Sequence, residues 1–434
     1  MQLKNKKVLV YGLGESGRAV IRFLRENHAQ VSFYDDNIEF YSYIGFERNP
    51  FDKQYDFAVV SPGVKCVGNK LLQHLREKNV LVMSEIDFAY LNCKGKVIGV
   101  TGTNGKTTTC MLTYKILKSA GIQTFLCGNI GLPFTAVVKH TTKKSVVVCE
   151  VSNFQLELSR FFRPNVACIL NVQEDHLDRH GSFAEYKHVK EKIAENMKKS
   201  DKLILNLDDE ETKYMVVHSN YGYFSKTPLK RGVSVKNGEI YVNKKSVLKI
   251  DKIKLRGEKN LENVLASVAI CSNFHVRKTA IENAVENFVP ASHRMQIIGS
   301  FEGVTYVDDS KATNVASTVS CVESFQGAGI VLLMGGRGKQ IDYAKLFEKN
   351  FQIKEIVCFG EEKDNISSVA ESFGYKTTKK DTLRQAVESA SKIASAGDFV
   401  LLSPACSSFD EFESYADRGE KFKEYVVGIV DGKF

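Results

Sequence analysis

A chain of 434 residues, 43% hydrophobic and 26% charged, is too long for one core and reads as a globular protein of about two or three domains. Its net charge of +9 suits phosphorylated, anionic small molecules. The lysines are spread along the chain without basic blocks or aromatic interleaving, which argues against nucleic acid as a partner. No apolar run approaches the roughly 20 residues that span a membrane, and ten single cysteines without a C-x-x-C pair argue against a disulfide framework or a zinc site. The N-terminus runs into a strand too short for a signal-peptide core, so a cytoplasmic protein is expected.

Residues 7–90 alternate strand-like and helix-like runs, which predicts a small parallel-sheet domain. Lys7–Tyr11 reads as a strand that meets Gly12-Leu13-Gly14-Glu15-Ser16-Gly17, and helical spacing follows at Ala19, Val20, Phe23 and Leu24. This is a G-x-G-x-x-G turn in its usual context. The next strand, 31–34, ends in Asp35-Asp36, a carboxylate about twenty residues on, where a ribose partner belongs. Alone, the motif points to an NAD-linked oxidoreductase or to a tight turn without ligand. A further strand, Phe57–Val60, ends at Ser61-Pro62-Gly63, and 91–96 reads as a linker.

The segment Thr101-Gly102-Thr103-Asn104-Gly105-Lys106-Thr107-Thr108 lies between a β-branched strand and a helical run starting at Thr109. Its glycines let backbone N–H groups point at an anion, and the helix N-terminus adds partial positive charge. Lys106 supplies a full charge, and the Thr107 hydroxyl can sit on magnesium. Val100 stands where the common phosphate-loop pattern has glycine, so the letters of the pattern fail while its physical order is kept. Strand 145–149 then ends at Glu150, the place for a magnesium ligand facing such a loop. Strand 166–170 runs into a polar stretch ending in Asp175-His176-Leu177-Asp178.

Ser182 with Glu185 predicts a capping box. The helix behind it aligns Phe183, Tyr186, Lys190, Ile193 and Met197. Lys190 is therefore a snorkelling lysine or an amine kept neutral by burial. Residues 233–242 read as a hairpin turning at Asn237-Gly238, and 255–263 open a helix. Strand-like runs recur in the last third, at 304–307, 329–334, 355–359 and 399–402.

The loop around Lys106 resembles the nucleotide loop of the Mur ligase family, the ATP-dependent amide-bond-forming enzymes of cell-wall synthesis. Other strings follow in the family's order: Ser61-Pro62-Gly63, Gly128-Asn129-Ile130-Gly131, Glu150-Val151-Ser152-Asn153-Phe154-Gln155-Leu156, Asp175-His176-Leu177-Asp178, and Tyr186 four residues before Lys190. Gly257, Asn260 and Asn263 match a further segment, as do His293-Arg294, Asp309-Ser310-Lys311-Ala312-Thr313-Asn314 and the run from Ser403 to Phe412. Asn153 departs from the family's second serine, and Arg337 stands where many relatives carry an acid.

The resemblance implies an α/β fold of three domains. These are a Rossmann-like UDP-substrate domain at 1–92, a central P-loop-type parallel-sheet domain at 93–290 that binds ATP, and a Rossmann-like amino-acid domain at 291–434. It implies ligation of D-glutamate to UDP-N-acetylmuramoyl-L-alanine through an acyl phosphate, giving ADP and phosphate in peptidoglycan precursor synthesis. The catalytic residues implied are Lys106, Glu150, His176 and Lys190. Two magnesium ions, or manganese, would be held by Thr107, Glu150, His176 and a carbamate on Lys190. ATP would meet Gly102, Thr103, Asn104, Gly105, Lys106, Thr107, Thr108, Asn260, Asn263, His293, Arg294, Asp309 and Lys311. The UDP substrate would meet Gly14, Glu15, Ser16, Asp35, Gly63, Asn129, Ser152, Gln155 and His176, and D-glutamate would meet Thr313, Lys339, Ser408, Phe409 and Tyr415. A monomer is expected, with small-molecule partners only. The rivals are a sibling Mur ligase or folylpolyglutamate-synthase-like ligase, an NAD-dependent dehydrogenase, and a catalytically dead UDP-sugar sensor. The second phosphate loop argues against the dehydrogenase.

Overall fold

A computed structural model describes residues 1–37, 46–175, 177–215, 220–255, 257–338 and 342–430. The chain forms two compact units. One comprises Met1–Glu174, Ser182–Lys254 and Glu262–Phe288, and the other Asp175–Gly181, Leu255–Leu261 and Val289–Phe434.

The first unit holds two sheets. The smaller contains β1 (Lys7–Tyr11), β2 (Gln30–Tyr34), β3 (Phe57–Val60) and β4 (Leu81–Ser84) in the order β2-β1-β3-β4, all parallel. Its central strands are apolar at successive positions because both faces are covered. Val8, Val10 and Val59 join Val20 and Leu24 of α1 (Glu15–Glu26) on one face. Leu9, Tyr11 and Ala58 join Leu71, Leu72 and Leu75 of α2 (Lys70–Glu77) on the other. Helix α3 (Glu85–Asn92) follows β4 without a break.

The larger sheet runs β13-β12-β11-β10-β9-β8-β5-β7-β6. Its strands are β5 (Lys96–Thr101), β6 (Thr124–Gly128), β7 (Val146–Glu150), β8 (Val166–Ile169), β9 (Lys202–Asn206), β10 (Asn220–Ser225), β11 (Val233–Lys236), β12 (Glu239–Val242) and β13 (Lys245–Lys249). Pairing is parallel from β6 to β11 and antiparallel through β13. The β11–β12 turn is the expected one: Asn237 and Gly238 both have positive φ, at 49° and 72°, as a type I′ turn requires. Helices α4 (Lys106–Ser119), α5 (Phe134–Val138), α6 (Asn153–Glu157), α8 (Phe183–Glu191), α9 (Glu258–Cys271) and α10 (Lys278–Glu286) connect or cover these strands, whereas α7 (Leu177–His180) and the opening turn of α9 group with the second unit. The helix expected to run on to Met197 stops at Glu191 and tightens into a 3₁₀ turn over Lys192–Ala194. Tyr186, Lys190, Ile193 and Met197 stay buried through that change.

The second unit is built on β14 (Gln296–Phe301), β15 (Val304–Asp308), β16 (Ile330–Gly335), β17 (Glu355–Phe359), β18 (Thr377–Lys379) and β19 (Phe399–Ala405). Their order is β14-β15-β19-β16-β17-β18, parallel except for the β14–β15 hairpin. Helices α11 (Val315–Ser324), α12 (Ala344–Phe347), α13 (Lys363–Ser372), α14 (Leu383–Ile393) and α15 (Tyr415–Val430) flank it. The fold is therefore α/β with parallel-dominated sheets. All ten cysteines are free and eight are buried, so they behave as small core residues. Among the described residues no helix is long and apolar enough to cross a membrane.

Candidate active site

The polar centre of the first unit lies where β5 passes into α4. Gly105 is the N-cap of α4 with φ +82°, and a Cβ there would stand 2.2 Å from Asn263 Oδ1. Glycine thus allows both the left-handed turn and the close approach of α9. Asn263 Oδ1 also accepts from Thr109 Oγ1 at 3.3 Å. The loop is tied to the end of β8: Thr103 N donates to Asn171 O at 3.0 Å and Asn104 N to Asn171 Oδ1 at 2.8 Å. Thr103 Oγ1 donates to Gln173 O at 3.1 Å. Thr108 is buried in the first turn of α4.

Parallel register sets Val100 of β5 and Gly128 of β6 on either side of Glu150, the last residue of β7. The Glu150 carboxylate, 2% exposed, accepts from Thr107 Oγ1 at 2.9 Å and from Asn129 Nδ2 at 2.8 Å. A hydroxyl and a carboxylate beside a phosphate loop are hard oxygen donors. They fit magnesium, which takes one or two protein ligands and completes its shell with water and phosphate. Among the described residues no group of three or more His, Cys, Asp or Glu side chains is placed to hold a metal. His176 lies outside the described residues.

Two lysines converge on one carbonyl. Lys106 Nζ donates to Gly102 O and Thr103 O, both at 2.7 Å. Lys190 Nζ, on a side chain 1% exposed, donates to Gly102 O at 3.2 Å and lies 4.2 Å from the Tyr186 ring centroid. The Tyr186 hydroxyl is 3.1 Å from Thr103 Oγ1. Ser152 and Gln155 close a capping box on α6, with Ser152 N donating to Gln155 Oε1 at 2.9 Å. Asn153 sits inside that box, and its presence leaves the box intact.

In the smaller sheet, Asp35 Oδ2 accepts from Leu13 N at 2.6 Å and braces the glycine turn. Gly12 has φ +94°, and a Cβ there would stand 2.7 Å from Ser61 Cβ. Ser61 Oγ donates to Gly12 O at 2.8 Å. The turn is thereby packed against Ser61-Pro62-Gly63, with Gly14, Glu15 and Gly63 exposed and Ser16 half-buried.

The second unit gathers its polar groups at the ends of β15, β16 and β19. His293 Nδ1 lies 2.6 Å from Asp308 Oδ2, and its Nε2 lies 3.4 Å from Glu420 Oε1. Asp309 accepts from Ser403 Oγ at 2.9 Å and Met295 N at 3.2 Å, and burial pushes its carboxyl up to about 7. Lys311 Nζ lies 3.6 Å over the Tyr415 ring. Asn314 caps α11 and donates to Asp175 Oδ2 at 3.2 Å. Arg418, fully buried, reaches Ser310 Oγ, Ser310 O, Cys406 O, Ser407 O and Gly335 O. Its guanidinium therefore ties three strand ends together, and burial lowers it to about 10. Arg337 pairs with Glu361 through two bonds at 2.9 and 2.7 Å. Arg294 and Thr313 are half-buried, Ser408 is buried, and Phe409 is 63% exposed. Asn260 lies in the first turn of α9, and Lys339 lies outside the described residues.

Residues 100–271 match the Mur ligase middle domain, and residues 293–406 match the Mur ligase glutamate ligase domain. The UDP-N-acetylmuramoylalanine–D-glutamate ligase of Alkaliphilus metalliredigens is 37% identical over 456 residues, covering 99% of each chain. That of Geotalea daltonii is 38% identical over 453 residues, covering 100% of this chain and 99% of its own.

The chain belongs to the Mur ligase family.

Solved structures share the Mur ligase fold at lower identity. MurF ligase from Thermotoga maritima in complex with ADP has a TM-score of 0.64 at 18% identity, covering 100% of this chain and 97% of its own. UDP-N-acetylmuramate-alanine ligase MurC from the same organism has a TM-score of 0.62 at 19% identity, covering 98% and 100%. The structure gives contacts to residues that the sequence strings contained without a role of their own. Asn171, Gln173 and Tyr186 hold the Gly102–Gly105 loop, and Asp308 holds His293. The first two were visible as polar letters directly after a buried strand. The run Arg418-Gly419-Glu420-Lys421-Phe422 also resembles the family, and nothing local to it showed that the Arg418 side chain would be buried.

Proposed function

We propose that this Mur ligase uses ATP to join D-glutamate to UDP-N-acetylmuramoyl-L-alanine in cytoplasmic peptidoglycan precursor synthesis. The substrate carboxylate attacks the γ-phosphate of ATP to form an acyl phosphate. The amine of D-glutamate then displaces phosphate and forms the amide. The full-length identity to ligases of that name supports the choice of substrates. The observation that carries the chemistry is the Thr107–Glu150 contact beside a loop on which two lysines converge. Such a site neutralises and orients a polyphosphate, which is most of what phosphoryl transfer needs.

Lys106 and the amides opening α4 are assigned to the phosphates, and Thr107 with Glu150 to magnesium. Magnesium would offset the charge that builds up between the β- and γ-phosphates. An amine shielded from water, with a second ammonium on the same carbonyl, is the kind that gives up its proton and adds carbon dioxide. Lys190 is accordingly assigned a carbamate, with His176 as its partner at a second metal. Asn260, Asn263, His293, Arg294, Asp309 and Lys311 are assigned to the nucleotide, and Thr313, Lys339, Ser408, Phe409 and Tyr415 to D-glutamate. Asp35, Gly63, Asn129, Ser152 and Gln155, with Gly14 to Ser16, are assigned to the UDP substrate. The domain limits 1–92, 93–290 and 291–434 and a monomeric state are part of the same proposal.

The test is phosphate release from ATP in the presence of UDP-N-acetylmuramoyl-L-alanine and a panel of amino acids. Release that requires D-glutamate supports the assignment. Faster release with L-alanine, a diamino acid or a dipeptide contradicts it.

A further inference from the structure

Helix α3 begins at the end of β4 and sets two buried carboxylates into loops of the larger sheet. Glu85 is 1% exposed, and its Oε1 accepts from Thr135 N and Thr135 Oγ1, both at 2.7 Å. Its Oε2 is buried with no hydrogen-bond partner among the described residues. Asp87 is fully buried; its Oδ1 accepts from Ser159 Oγ, Phe161 N and Phe162 N at 2.9, 3.0 and 2.8 Å. Its Oδ2 accepts from Arg160 N at 2.9 Å.

Packing alone does not account for this arrangement. A buried carboxyl with an orphan oxygen is costly, and an apolar side chain would fill the same space at lower cost. The two gripped segments share a property. Thr135 lies in the first turn of α5, two residues after the Asn129–Pro133 turn whose Asn129 reaches Glu150. Residues 159–162 follow α6, which carries the Ser152–Gln155 capping box. Pairing of β3 with β4 sets Val60 beside Ser84, so the Ser61–Gly63 turn leaves the sheet next to Glu85. Ser61, Ser84, Glu85, Phe154 and Gln155 line one small cavity.

We propose that Glu85 and Asp87 are positioning residues for the UDP-linked acid. They fix the Asn129 turn and α6 against the Ser61–Gly63 turn, so that groups from both sheets meet one substrate in register. Neither carboxylate touches the reacting atoms. The proposal rests on the assignment of Asn129, Ser152, Gln155 and Gly63 to that substrate.

The experiment uses the full-length enzyme, with steady-state kinetics for each substrate and calorimetric titration of UDP-N-acetylmuramoyl-L-alanine. Glu85→Ala and Asp87→Ala are expected to raise KM and Kd for that substrate about tenfold, with KM for ATP within about twofold. Glu85→Gln keeps an acceptor for Thr135 and is expected to restore both to within about threefold of the parent. If Glu85→Ala does not fold, Thr135→Val removes one of the two donors at nearly equal volume. It carries the same expectation at about threefold. A folded Glu85→Ala with unchanged KM, or with the KM for ATP raised equally, overturns the proposal. A parent enzyme that turns over a different acid overturns the assignment of substrate instead, and positioning is then judged on the KM for that acid.

Discussion

Lys106 and Lys190 donate to the same backbone oxygen, Gly102 O, at 2.7 and 3.2 Å. One arrives from the first turn of α4 and the other from α8, 84 positions later in the chain. Two side-chain amines on one acceptor gather positive charge where a polyanion would bind.

The first expectation concerns the carbamate assigned to Lys190. Wild-type enzyme equilibrated with ¹³C-labelled bicarbonate should show a carbamate carbon resonance, and Lys190→Ala should lack it. The same variant should lose most of its turnover, on the order of 10²-fold or more, while calorimetry still detects nucleotide binding. A resonance that persists in Lys190→Ala would place the carbamate elsewhere.

Glu150 offers a second expectation. Glu150→Gln keeps the size of the side chain and an acceptor for Thr107 but turns an amide donor toward Asn129 Nδ2, so the thermal midpoint should fall by about 3–6 °C with the fold retained. It removes the negative charge from the assigned metal site. Turnover should fall roughly 10²–10³-fold, and the magnesium concentration for half-maximal activity should rise. Unchanged magnesium dependence would remove Glu150 from the metal.

Stability should depend on pH through Asp309. Burial raises its folded-state value from 3.8 to about 7, so the folded state holds a proton that the unfolded chain has released. Its contribution is complete below about pH 4 and is lost as pH rises through about 7, by an amount on the order of a few kcal/mol. Asp309→Asn should flatten the fall in denaturation midpoint between those pH values. Parallel curves for parent and variant would show that Asp309 is ionised throughout.

Arg418 should behave as a structural tie. Its five contacts run to a hydroxyl and four carbonyls, and truncation leaves those carbonyls buried. Arg418→Ala should cost about 3 kcal/mol or more in urea unfolding. Arg418→Lys, which lacks the planar fork, should recover only part of that.

Much of this architecture could be read in advance where chemistry is local. The strand–turn–helix around Lys106, the carboxylate ending β7 and the Asn237-Gly238 turn each follow from a few adjacent residues. Contacts that join distant segments left no such trace. Glu85 gripping Thr135 and Arg418 bridging Ser310 to Cys406 depend on sheet order, which periodicity does not give. The edge strand β14 escaped because half-exposed positions break its alternation. Asp35, expected at a ribose, also accepts from Leu13 N through Oδ2, a contact that the motif alone did not reveal.

The most direct measurement follows one oxygen atom. UDP-N-acetylmuramoyl-L-alanine labelled with ¹⁸O in its terminal carboxylate is turned over with ATP and D-glutamate, and the phosphate product is analysed by mass spectrometry. An acyl phosphate requires one labelled oxygen to leave with each phosphate. Phosphate released without label would mean that the carboxylate never attacked ATP, and the proposed reaction would be wrong.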